Sequence, residues 1–267
     1  MRSIKAGLHA DMSNEDYHGD TEWLSSTRLK ALLPERYKAH DGETTPAMEF
    51  GTLVHQIVLE PDSLGHYAVL DAAAIAGSNP KTGRPYDAPT MTGRWKAAVA
   101  EAEQDGRTVV AQSDWDRAHA MRDALAAHPK AARMLFDLPG ENEVSAFWQR
   151  EDDLRLKARY DRLISGAVLD LKTTSAKPGE HSLRRAVWDY GYHVSAAHYL
   201  SVAAGLDLDV ETFALVFVGK EPPHYVTVCD FSDDLLGAGY DLHAEALTRF
   251  TDPDAEPYVG ASTVLTL

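Results

Sequence analysis

The sequence predicts an α/β domain with a central mixed β-sheet flanked by helices. Three observations carry this expectation. Apolar residues recur at helical spacing over 48–59, the pattern changes to period two between Glu143 and Lys172, and helix and strand patterns then alternate as far as Phe250. The chain has 267 residues, 44% hydrophobic and 25% charged, enough for one large core or two small ones and unlike a disordered or fibrous chain. No repeat of fixed period interrupts it. A single domain spanning 1–267 is expected, mainly helical over 1–140, with a sheet core and C-terminal helices over 141–267.

Each element follows from its residues. Ser25 and Ser26 precede Leu29, Leu32 and Leu33, which predicts a capped helix over 27–33 closed by Pro34. Phe50, Leu53, Val54, Ile57 and Val58 lie at i, i+3, i+4, i+7 and i+8, a core-facing stripe that Pro61 ends. Residues 76–92 concentrate turn formers without periodicity and read as an exposed, mobile loop. Helices are expected over 94–104 and 113–135, the second capped by Ser113 and punctuated by His128-Pro129. Residues 143–148 and 154–161 form a hairpin through the charged turn 150–153, and the turn at Ser165-Gly166 leads into a strand over 167–172. A helix over 183–188, a break near Gly191 and a helix over 193–204 follow. Strands over 210–218 and 224–231 then flank Glu221-Pro222-Pro223, and an amphipathic helix spans 233–250.

Composition excludes several functions. The single Cys229 rules out a disulfide framework and a four-thiolate zinc or iron–sulfur site, as expected of a reducing cytoplasm. No stretch approaches the roughly 18 to 20 apolar residues of a membrane span, and 1–13 lacks the apolar core of a signal peptide, so a cytoplasmic protein is expected. Acidic residues outnumber basic ones, 41 to 26, for a net charge of −15 and a pI near 5.1. Bulk electrostatics therefore oppose general nucleic-acid binding. Between Arg150 and Arg185, however, nine basic residues (Lys177 among them) face six acidic ones, so the acidic excess lies elsewhere. That distribution would confine contact with any polyanion to one basic groove or channel.

Alternation in 154–161 places Arg155, Lys157, Arg159 and Asp161 on one face, and Asp170 and Lys172 share a face of the next strand. Two carboxylates converging on a point repel unless a cation lies between them, and hard oxygen ligands suit Mg²⁺ or Mn²⁺. Lys172 could orient or deprotonate a water, or stabilise charge developing on a phosphate, while Arg155, Lys157 and Arg159 could hold a polyanion. Asp-x-Lys triplets also arise by chance, and a charged strand face is ordinarily solvated. Spacing alone leaves both readings open.

The wider pattern is more specific. Asp161 followed by Asp170-Leu171-Lys172 resembles the D…(D/E)xK signature of the PD-(D/E)xK nuclease superfamily, and the whole series resembles the RecE-type exodeoxyribonucleases, relatives of the RecB nuclease domain. Met12-Ser13-Asn14-Glu15-Asp16-Tyr17-His18 and Leu24-Ser25-Ser26-Thr27-Arg28-Leu29-Lys30 are similar to that family's opening segment. Phe50-Gly51-Thr52-Leu53-Val54-His55 with Leu59-Glu60-Pro61 resembles its first core helix, and Lys157-Ala158-Arg159-Tyr160-Asp161-Arg162, Asp170-Leu171-Lys172-Thr173-Thr174 and Tyr190-Gly191-Tyr192-His193 its later motifs.

The resemblance implies a restriction-endonuclease-like core. It implies His55, Asp161 and Asp170 as metal ligands with the Leu171 carbonyl as a fourth, Mg²⁺ as the cofactor with Mn²⁺ substituting, and Lys172 as the catalytic lysine beside Asp161 and Asp170. For His55 a structural role in the apolar helix stays open. Glu143 matches an acidic position that is either a further ligand or a surface residue. Thr173 and Tyr199 join Arg155, Lys157 and Arg159 as expected DNA contacts. The implied substrate is linear double-stranded DNA digested from the 5′ end in a bacterial or phage-infected cell. A ring-shaped homotetramer and a single-strand annealing partner are implied as well. Two positions depart from the pattern: Tyr160 stands where the signature has proline, and Ser195 where a Gln-x-x-x-Tyr motif ending at Tyr199 has glutamine. A catalytically inactive DNA-binding member, an endonuclease and a single-strand-specific nuclease are the rival readings.

Overall fold

A computed structural model of the chain describes residues 4–33, 37, 44–175 and 179–252. The predicted helix stop Pro34 and the basic Lys177 lie outside the described residues. In chain order the elements are β1 (Gly7–His9), α1 (Asn14–Gly19), β2 (Leu24–Ser25), α2 (Ser26–Lys30), α3 (Pro46–Leu59), β3 (Tyr67–Leu70), α4 (Ala72–Ala76), α5 (Gly93–Gln104), β4 (Thr108–Ala111), α6 (Gln112–Ala127), α7 (Pro129–Ala132), β5 (Gly140–Gln149), β6 (Arg155–Ile164), β7 (Gly166–Thr174), α8 (Glu180–Asp189), α9 (Tyr192–Gly205), β8 (Val210–Gly219), β9 (Val226–Asp230) and α10 (Asp233–Thr251).

One sheet runs β1-β5-β6-β7-β8-β9, with β2 also paired to β6. All neighbours are antiparallel except β7 with β8 and β2 with β6, so the expected mixed sheet is present. Alternation distributes the strand residues between two cores. Val168, Phe213, Leu215 and Phe217 pack with α2, α8, α9 and α10 on one face. Leu169, Leu171, Val216 and Val218 pack with α3, α6 and α7 on the other.

Several expectations change. The helix expected over 113–135 is α6, α7 and a π turn at Arg133–Asp137. Ser113 does not cap it: α6 begins at Gln112 without a side-chain cap, and the His128 ring instead accepts from the Ala131 N–H to start α7. His128-Pro129 is therefore a restart signal. Of the loop expected over 76–92, Ala76 closes α4, and the remainder holds a Ser78–Pro85 bridge and a 3₁₀ turn at Pro89–Met91. The parallel pair β3–β4 forms a second, two-stranded sheet that no periodicity announced, since four residues are too few to show one.

Candidate active site and metal centre

The site lies where β6 changes neighbours. β6 pairs with β7 only over Arg162–Ile164, opposite Leu169, Val168 and Ala167. Beyond that point the strands part, and β2 takes the vacated edge with Leu24 opposite Leu156 and Ser25 opposite Lys157. Asp161 and Asp170 face each other at the fork. There Asp161 Oδ2 accepts the Leu171 N–H at 2.7 Å, so a side chain replaces the missing ladder bond. On the other edge of β6, the pairing with β5 skips Glu143, which has φ +52°. A glutamate in left-handed backbone costs on the order of 1–2 kcal/mol, strain of the kind found at functional sites.

α3 supplies the third group. Thr45 caps it, Pro46 opens it, and the buried stripe of Phe50, Leu53, Val54, Ile57 and Val58 fixes its rotation against the sheet. His55 Nε2 then donates to the Leu171 carbonyl at 2.7 Å. Its Nδ1 faces the acids, 3.6 Å from Asp161 Oδ2 and 3.8 Å from Glu143 Oε1. One ligand atom from each of His55, Glu143 and Asp161 lies within 4.8 Å of the others. Asp170, also expected among the ligands, forms an ion pair with Lys172, Oδ2 to Nζ at 2.6 Å.

Charge is closely balanced. Burial opposes the imidazolium of His55, but Asp161 and the contact with Glu143 outweigh it and raise the ring to about 9. Burial pushes Asp161 up to about 6; His55 counteracts this and Asp170 adds to it. Burial would raise Glu143 too, yet His55 and Arg159 hold it below the usual glutamate range. Lys172 is held above the ordinary lysine range: burial disfavours the ammonium, but Asp170 and Asp161 more than compensate. The donor set therefore fits a hard divalent cation. One imidazole nitrogen and two carboxylates converge, a divalent ion would take the place of the proton that the acids favour on His55 Nδ1, and the second nitrogen of His55 is oriented by a carbonyl as ligating histidines commonly are.

These groups line a cleft of about 1130 Å³ that also exposes Arg28, Glu60, Asp170, Lys172, Thr173, Tyr199 and Lys220. The cationic face of β6 is not solvated, contrary to the simplest sequence reading. Lys157 is 2% exposed and donates to the carbonyls of Tyr17 and Asp20, both at 2.6 Å. Arg159 binds Glu143 at 2.8 Å, the Met12 carbonyl at 2.9 Å and Ser145 Oγ at 2.7 Å. Arg155 pairs with Glu22 at 3.1 Å. Residues 12–25 thus cover this face, and the local basic excess is largely consumed within the chain. Ser195 accepts a hydrogen bond from Ser26 at 2.8 Å, tying α9 to α2.

Sequence reasoning missed two charged neighbours. Glu60 lines the cleft and is raised by burial and by Glu143. Its signal was present in Leu59-Glu60-Pro61, which was matched to the family's first core helix without a role for the glutamate. Lys30, lowered to about 8 by burial and by Lys172, donates to the Tyr190 carbonyl at 3.0 Å. No spacing rule connects residues 30 and 172.

A mixed sheet with a His, two acids and an Asp-x-Lys triplet at a strand fork defines a PD-(D/E)xK-type domain. The chain belongs to the family described as PDDEXK-like domain of unknown function (DUF3799), which it matches over residues 22–255. No curated protein matches it. A crystal structure from Eubacterium rectale, described as a "putative exonuclease", is similar with a TM-score of 0.54 at 13% identity, over 93% of this chain and 90% of that one. An alkaline exonuclease from Laribacter hongkongensis aligns at 10% identity over 71% of this chain and 90% of that one, with a TM-score of 0.32. The first likeness shows the fold, and the second is too low for structural detail to carry over.

Proposed function

We propose that the protein is a metal-dependent exodeoxyribonuclease of RecE type that hydrolyses linear double-stranded DNA from the 5′ end during recombination or phage DNA processing, and that residues 1–267 act as one nuclease domain. The observation that carries this reading is the convergence of His55, Glu143 and Asp161 within 4.8 Å beside the Asp170–Lys172 pair. His55, Asp161, Asp170 and the Leu171 carbonyl would hold Mg²⁺ or Mn²⁺, with Glu143, which converges with His55 and Asp161, as a further ligand. Bound there, the ion supplies Lewis-acid polarisation of a phosphoryl oxygen and a lowered pKa for water. Lys172, kept as an ammonium by Asp170, donates hydrogen bonds to the phosphate and stabilises its developing charge. Thr173 and Tyr199 line the cleft and contact the strand. A ring-shaped homotetramer and a single-strand annealing partner complete the proposal by resemblance.

Incubation with linear, nicked and closed circular duplex, with and without Mg²⁺, tests it. Linear DNA alone should be degraded, only with the metal, and Lys172→Ala should abolish cleavage while DNA binding stays measurable. Cutting of closed circles, or full activity in Lys172→Ala, would overturn the reading.

A further inference from the structure

Behind Lys172 lies an aromatic pair that the hydrolytic chemistry does not use. Lys172 Nζ is 5.8 Å from the centroid of the Tyr192 ring. Tyr192 packs inward on Phe217, with ring centroids 6.1 Å apart. Outward it meets Tyr190 at 5.6 Å, with the planes tilted by 32°. Tyr190 itself is 63% exposed. An aromatic path therefore leads from the lysine of the Asp-x-Lys triplet to solvent, opening beside the cleft, whose lining includes Lys172 but neither of these two tyrosines.

The backbone between the two tyrosines is braced by one neighbouring segment. Gly191, between the two tyrosines, has φ +63°, and a Cβ there would come within 2.9 Å of the Lys30 and Tyr37 side chains. The turn from α8 to α9 is thus pressed against the segment carrying α2. Lys30 Nζ fixes the Tyr190 carbonyl from the same segment. A large apolar ring kept at the surface by such bracing loses little freedom when a flat ligand stacks on it.

We propose that Tyr190, backed by Tyr192, is a stacking platform for an unpaired base of the strand being cut, a few nucleotides from the phosphate that faces Lys172. This rests on the nuclease reading of the cleft and deepens it: the substrate reaches the site as a single strand or a frayed duplex end. The ring-to-ring and ring-to-lysine distances, 5.6 and 5.8 Å, set an upper limit of about three nucleotides between Lys172 and the Tyr190 ring at about 3.4 Å rise each. Every base offers a π face, so the platform tolerates any sequence.

The test uses a fluorescently labelled twelve-residue deoxyadenosine oligonucleotide, with Ca²⁺ replacing Mg²⁺ to suppress hydrolysis. Tyr190→Ala should raise the Kd about tenfold, whereas Tyr190→Phe, which keeps the ring, should change it less than about twofold. An abasic residue at one of the first three positions from a terminus should weaken binding to wild type to the same extent and remove the difference between wild type and Tyr190→Ala. Equal Kd values for wild type and Tyr190→Ala on the intact oligonucleotide would overturn the platform, as would an alanine defect that persists on all three abasic strands. If no divalent metal supports cleavage but the Tyr190-dependent, base-dependent binding is seen, the nuclease reading fails and the platform stands. If Lys172-dependent cleavage is seen and Tyr190→Ala both binds and cleaves as wild type does, the platform alone fails.

Discussion

At the scale of single residues, the candidate site is a set of charges that need one another. His55 contacts both carboxylates through Nδ1 while Nε2 is committed to the Leu171 carbonyl. Removing either acid should therefore weaken a bound divalent ion and leave the other groups near their positions. Glu143→Gln and Asp161→Asn are each expected to reduce Mn²⁺ affinity by about 10- to 100-fold in titration calorimetry, and unchanged affinity would remove that residue from the ligand set. Much of this was legible in the sequence. The triplet Asp170-Leu171-Lys172 and the alternation that put Asp161 beside it announced a charged convergence. The histidine from α3 and the strained Glu143 were not derivable from spacing, because each reaches the site through tertiary packing. Their selection came from resemblance to known motifs, as did the expected place among the ligands of Asp170, which pairs with Lys172.

At the scale of elements, close approaches decide what each helix tolerates. Gly239 of α10 crosses α9 so tightly that a Cβ would lie 2.2 Å from the His193 carbonyl oxygen. Gly239→Ala should destabilise the fold by about 2 kcal/mol or more in urea denaturation, because backbone rather than a flexible side chain is in the way. The same layer holds two buried histidines. His198 Nδ1 and His243 Nε2 are 3.2 Å apart, and His198 Nε2 donates to the Lys157 carbonyl at 2.9 Å, joining β6, α9 and α10. Burial lowers His198 to about 4 and His243 to about 3, in the second case with help from His198. Above pH 6.5 both states of the chain carry these rings neutral. Below it the unfolded chain binds protons that the folded one refuses, so stability should fall as pH drops from about 6.5 toward 4. The slope of unfolding free energy over that window should be shallower in His198→Gln, whatever that variant costs at neutral pH. Helices and strands of ten or more residues were readable from periodicity, as were the break at Gly191 and the turn at 150–153. The short elements β1, β2, α1 and β3 were not, since they are held by partners far along the chain.

Across the whole molecule, the distribution of charge sets how DNA could approach. The net charge is −15, and the cations of β6 that promised a basic groove are engaged with Glu22, Glu143 and backbone carbonyls. Arg28, Lys172 and Lys220 line the cleft, with Arg28 donating to the Thr21 and Trp23 carbonyls and Lys172 paired with Asp170. DNA affinity should accordingly fall with salt along a shallow log–log slope of about −3, as expected for some three phosphate contacts. A slope steeper than about −6 would point to a larger basic surface, and a flat one to no phosphate contact at all. Among the described residues no helix is long and apolar enough to cross a membrane.

The way residues 12–25 close over β6 has a consequence for how the protein comes into being. Lys157 and the Tyr17 carbonyl that it binds are 140 positions apart, and His55 and the Leu171 carbonyl are 116 apart. Contacts of such span cannot form until the intervening chain has been made. During synthesis the opening segment leaves the ribosome well before the strand that receives it. A half-made chain therefore carries His55 with neither acid-bearing strand in place, and the cluster assembles only in a nearly finished molecule.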